Sequence, residues 1–154
     1  MFVFRCRHCH GEVTGPVREV PLPDPNDALA PYQMGRDEPC PPRMPPGTFA
    51  YEPPRAEASA LRPVNEWDAA VLYAKLGLTG VVLAREDLRD VEVTDKKGRT
   101  NGCCGLDGCD GPNLVCRRCR TEIGTEESDC WMAQQVTLIP TAVELVLPQR
   151  PEDT

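Results

Sequence analysis

Apolar positions cluster at the start of the chain, in Phe2-Val3-Phe4, and Cys6 follows almost at once. Residues 2–5 read as a short strand and Cys6-Arg7-His8-Cys9-His10-Gly11 as a turn. Residues 12–20 (EVTGPVREV) read as a second strand, interrupted at Gly15-Pro16, where proline has no N–H for a ladder. The unit is a hairpin with a CxxC pair at its tip. Residues 81–84 (VVLA) form an unbroken apolar run of strand length, which predicts a buried strand, and 91–94 (VEVT) alternate. Residues 85–90 read as a turn or short helix and Asp95-Lys96-Lys97-Gly98 as a turn. Residues 135–139 and 142–147 are two closing strands, split by Pro140.

Helical periodicity occurs in residues 65–76 (NEWDAAVLYAKL). Trp67, Val71 and Ala74 share a face, which Leu72 and Leu76 widen. Asn65 can cap the first turn and Gly77 can take the left-handed position at the end. Residues 21–63 hold twelve of the seventeen prolines, a density that neither a helix nor a central strand accommodates. An extended loop, serving as a linker or covering arm rather than a PxxP ligand, is expected there, with Cys40 inside it. The pattern predicts a mainly β fold with one short helix (α+β, loop-rich), built from zinc-ribbon-like hairpins and a long Pro-rich loop.

Composition changes this picture in one respect. Aromatics are 5% of 154 residues, while Gly and Pro number 12 and 17, so apolar burial alone supports the loops poorly. The nine cysteines are the candidate support. No signal peptide precedes Cys6 and no apolar window reaches membrane-spanning length, so the chain is expected to be cytoplasmic, where disulfides are rare. Residues 1–154 are expected to form a single zinc-stabilised domain, with 101–131 as its cysteine-rich metal-binding block.

Nineteen residues, "NGCCGLDGCDGPNLVCRRC" at 101–119, hold five cysteines and four glycines. Cys6-Arg7-His8-Cys9-His10-Gly11-Glu12-Val13 echoes Cys116-Arg117-Arg118-Cys119-Arg120-Thr121-Glu122-Ile123. Each is a zinc-knuckle pattern: two thiolates project from one tight turn, and Zn²⁺ takes four in a tetrahedron. Two wirings follow. In the first, Cys6, Cys9, Cys116 and Cys119 make one ribbon centre. In the second, Cys104, Cys116, Cys119 and Cys130 hold one metal, while Cys6 and Cys9 hold another with Cys103 and either Cys109, His8 or His10. Adjacent cysteines enter one small cage only with strain, so the Cys103-Cys104 doublet favours the second wiring, with two zinc ions. Iron suits four thiolates as well.

Gly102, Gly105, Gly108 and Gly111 recur every third residue and let the backbone wrap closely. Asp107, Asp110 and Asn113 suggest a calcium loop, but the EF-hand spacing is missing. Arg117, Arg118 and Arg120 form a basic cluster, read as charge balance for an anionic metal–thiolate centre.

"GCCGLDGCDGPNLVC", the following CxxC and "SDCW" at 128–131 resemble small cysteine-rich proteins of high-GC actinobacteria, in which an N-terminal CxxC hairpin often accompanies the block. The resemblance covers about a third of the chain. It implies that both cysteine clusters belong to one unit and implies no activity.

The formal net charge is −7, and eight thiolates around two Zn²⁺ would take it to about −11. Nucleic acid is therefore disfavoured as a partner, and a protein partner is expected. The expected function is a non-catalytic zinc-binding, protein–protein interaction module of adaptor, regulator or immunity type. One alternative is a thiol-dependent redox or hydrolytic enzyme using Cys130 or the Cys103/Cys104 doublet. Another is a zinc ribbon docking on nucleic acid or RNA polymerase.

Overall fold

The computed structural model describes residues 1–52 and 80–148. The helix expected over 65–76 lies outside the described residues. Within them the chain is mainly β, with nine strands and three single-turn 3₁₀ segments. The strands are β1 (Val3–Cys6), β2 (Arg18–Glu19), β3 (Thr48–Glu52), β4 (Gly80–Leu83), β5 (Val91–Val93), β6 (Leu114–Cys116), β7 (Glu122–Glu127), β8 (Gln135–Leu138) and β9 (Val143–Val146).

Seven of them form one sheet in the order β2-β3-β4-β8-β7-β6-β5, antiparallel except for β2 on β3. β1 and β9 pair separately. The apolar run Gly80–Leu83 is buried throughout because β4 is central and covered on both faces. Strand alternation divides its side chains. Val81 and Leu83, with Phe49, Val136 and Leu138, join the main core, whereas Val82 and Ala50 face a second cluster under Met44.

Met44 belongs to the proline-rich segment, whose described part covers this face of β3 and β4. Arg43 ties the arm down: its backbone N–H and guanidinium reach Gln134 O and Gln135 Oε1, and the guanidinium also donates to Pro23 O. Two of the 3₁₀ turns, Pro25–Asp27 and Pro31–Gln33, begin at prolines of the arm. The reading of 21–63 as loop throughout is corrected at 48–52, and residues 53–63 lie outside the described residues. Thr48–Glu52 (TFAYE) is a buried strand, because this stretch is free of proline and alternates well enough to pair with β4. Phe49 then stacks edge-on against Phe4 and Phe2, joining the β1–β9 pair to the large sheet.

The first hairpin forms with its CxxC at the tip, but its return limb is broken. Only Arg18–Glu19 is a strand; Glu12, Thr14 and Val17 make isolated bridges. No helix among the described residues is long and apolar enough to cross a membrane.

Candidate metal centres

The two echoing segments fold alike. In the first knuckle, Cys6 N–H donates to Gly11 O and His10 N–H to Cys6 O, both at 2.8 Å. In the second, Cys116 N–H donates to Thr121 O at 2.9 Å and Arg120 N–H to Cys116 O at 2.8 Å. The fifth residue of each turn, His10 or Arg120, sits at positive φ, 63° and 65°. Each turn therefore closes on itself and aims two thiols outward to the same side.

The likeness extends to the flanking strands, which the sequence reading placed without matching them to each other. Cys6 is paired with Val143 on β9, and Cys116 with Val91 on β5. The next residue in each case is a glutamate. Glu144 receives Arg5, Arg7 and His10; Glu92 receives Arg117 and Arg120. The two-stranded β1–β9 pair and the β5-β6-β7 end of the large sheet thus each carry a Cys pair and a carboxylate that receives the knuckle's basic side chains.

Between them, the thiols of Cys6, Cys9, Cys116 and Cys119 lie within 4.8 Å of one another. Cys6 Sγ is 3.6 Å from Cys119 Sγ, and Cys9 Sγ is 3.6 Å from Cys116 Sγ. A zinc tetrahedron with Zn–S bonds of 2.3 Å separates its sulfurs by about 3.8 Å, so the four thiols already stand near coordination geometry. Cys6 and Cys116 are fully buried and Cys9 and Cys119 partly so. Burial pushes the Cys6 thiol up to about 11. Burial also opposes ionisation of Cys119, but hydrogen bonds from the Thr121 hydroxyl and N–H and from the Cys6 and Cys116 thiols outweigh it and hold that thiol near 6.

This is the first wiring, and the preference for the second is corrected. Cys116 and Cys119 are set at one end of the β6–β7 hairpin and join Cys6 and Cys9; Cys103, Cys104 and Cys130 form a group of their own. Strain does not keep the doublet apart either. Cys103 and Cys104 lie on a glycine-flanked loop, and their sulfurs are 3.8 Å apart. Gly102 adopts φ 150°, and a Cβ at Gly105 would stand 2.3 Å from Ser128 O, so the loop can press against residues 128–130.

What holds this second group is Asp129, which the sequence reading passed over. It is buried, and each of its carboxylate oxygens accepts two N–H groups. Oδ1 takes the amides of Cys104 (2.9 Å) and Cys130 (2.8 Å); Oδ2 takes the amide of Cys103 (3.0 Å) and the Trp131 indole (3.1 Å). Donation from the Cys104 and Cys103 amides holds its carboxyl well below the usual carboxylate range. The cluster itself is open: Cys103 and Cys104 are exposed and Cys130 half-buried. Its crowding, first with Cys130 and then with Cys103, pushes the Cys104 thiol up to about 12.

Cys109 stands apart from both groups. Its thiol faces Asp107 O at 3.5 Å, and burial, then the Asp107 and Asp110 carboxylates, push it up. The two histidines lie in the first knuckle, His10 beside Glu144. Cys40 faces Leu29 O at 3.3 Å. All nine cysteines are free thiols. The calcium candidates diverge: Asp107 Oδ1 accepts from Cys109 N–H, Asp110 from Asn101, and the buried Asn113 clamps the backbone of Glu126. Each arginine of the basic cluster has a carboxylate partner, Arg118 meeting Asp90 at 2.5 Å. Both cysteine groups can hold a metal ion. Family models, curated proteins and solved structures give no match to this chain.

Proposed function

We propose that the chain is a non-catalytic zinc-binding protein, in which Cys6, Cys9, Cys116 and Cys119 hold one structural Zn²⁺. The observation that carries this reading is the approach of four thiols, from turns of identical hydrogen bonding, to within 4.8 Å inside the main core. A closed set of four thiolates leaves no position for substrate, which is the mark of a structural site. The metal would link the β1–β9 pair to the far end of the large sheet. Its binding energy is then folding energy.

The protein acts, in this reading, through its surface. Net charge of −7 suits a basic protein partner better than nucleic acid. Tyr32 and Trp131 are exposed on adjacent segments, since Tyr32 N–H donates to Cys130 O, and exposed aromatics of this kind are common at protein interfaces.

Elemental analysis of protein purified without chelator tests the metal. Tightly held zinc, whose removal abolishes the cooperative melt, is expected. Iron in its place, or a melt indifferent to chelation, would overturn the reading. For the surface, a salt-sensitive one-to-one complex with a basic protein is expected; binding to RNA with a steep salt slope would favour the nucleic-acid alternative instead.

A further inference from the structure

The open cluster has a ligand deficit that the described residues do not make up. Three thiols, those of Cys103, Cys104 and Cys130, lie within 4.8 Å of one another. Every cysteine and histidine of the sequence lies among the described residues, and the group within reach contains only these three. Four other cysteines belong to the closed centre, while Cys109 and Cys40 face carbonyls elsewhere. Asp129, whose carboxylate binds the amides of all three cysteines, has both oxygens occupied by two N–H donors each. It shapes the site and is not free to ligate.

Zinc here would have to complete its four ligands with solvent. A three-sulfur cup with an exposed mouth suits a thiophilic centre that is complete with three bonds. Charge points the same way. A divalent ion on three thiolates leaves a net −1 on a chain already at −7. A trivalent centre on three thiolates is neutral.

We propose that Cys103, Cys104 and Cys130 form a binding site for trivalent arsenic, taken up as arsenite. The step is a condensation: three S–H bonds and three As–OH bonds break, three As–S bonds form, and three waters leave. Arsenic stays trivalent, so neither oxidant nor reductant is needed. Soft thiolate sulfur is the right donor for so polarisable a centre. Asp129 is a positioning residue, because its four hydrogen bonds bring the 103–104 loop to Cys130. This proposal goes beyond the structural zinc and does not depend on it.

The test uses the full-length protein with its metal in place, titrated with sodium arsenite and followed by intact mass and thiol count. One arsenic gained, three hydrogens lost and three thiols protected are expected, with metal content of the closed centre unchanged. Cys104→Ser should weaken uptake by at least about 100-fold, and Asp129→Asn by roughly 10- to 100-fold, since supporting partners of ligands carry that much. Cys109→Ser should leave it unchanged. Because Cys104 is exposed, its variant is expected to keep the wild-type melt and metal content, which separates lost binding from lost fold. No arsenic in the mass, arsenic retaining a hydroxyl on two thiols, uptake undiminished in Cys104→Ser, or a zinc ion in the cup that arsenite does not displace would each overturn the proposal.

Discussion

The closed and the open cysteine groups use the same side chain to opposite ends. Cys6 and Cys116 terminate strands, are buried in the main core, and meet across it with register fixed by β9 and β5. Cys103 and Cys104 sit on an exposed loop, and one carboxylate holds both of their amides. Position in the fold, rather than cysteine spacing, separates a set of thiols that supports the domain from one that the domain merely displays. The contrast is open to direct attack.

The largest effect is expected from Cys116→Ala. It removes one thiol of the closed group and leaves a cavity at a fully buried position, so metal content and the cooperative melt should both be lost. Cys104→Ala should instead fall within about 0.5 kcal/mol of wild type, as surface substitutions do. Circular-dichroism melts of the pair decide the matter, and equal losses would erase the distinction between the groups.

Phe49→Ala comes next. Phe49 is fully buried and stacks against Phe4 and Tyr51, so about 3–5 kcal/mol should be lost in a urea titration. Metal should remain bound if the knuckles hold their own turns.

Asp129→Ala isolates the open group. Three amides and an indole lose their acceptor, and the melting temperature should fall by roughly 5 °C, with metal in the closed centre retained. Cysteine alkylation should show Cys103, Cys104 and Cys130 reacting independently.

The smallest effect concerns the matched carboxylates. Hydrogen bonding to Arg5 holds the Glu144 carboxyl below its ordinary value. A depressed carboxylate contributes stability that is present above the unfolded value of about 4.3 and lost as pH falls below it. Glu144→Gln should therefore narrow the gap in stability between pH 6 and pH 3 by a small amount, as expected of a partly exposed ion pair. A two-point melt at those pH values measures it, and an unchanged gap would remove Glu144 from the pairing argument.

The sequence by itself determined what is local. The knuckle echo, the hairpin tip at Cys6–Cys9, the buried run at β4, the closing strands β8 and β9 and the wrapping glycines all follow from spacing and period. Neighbours in sequence control turns and strand alternation directly. The sequence also held a weaker signal that went unread: Val91-Glu92-Val93 and Val143-Glu144-Leu145 repeat the flanking strand of each knuckle. Only tertiary structure decided which thiols share a cage. That choice depends on the strand order, which sets Cys116 and Cys119 opposite Cys6 and Cys9 across more than a hundred residues. It depends equally on Asp129, a single carboxylate whose role is invisible until the loop at 103–104 folds back onto it.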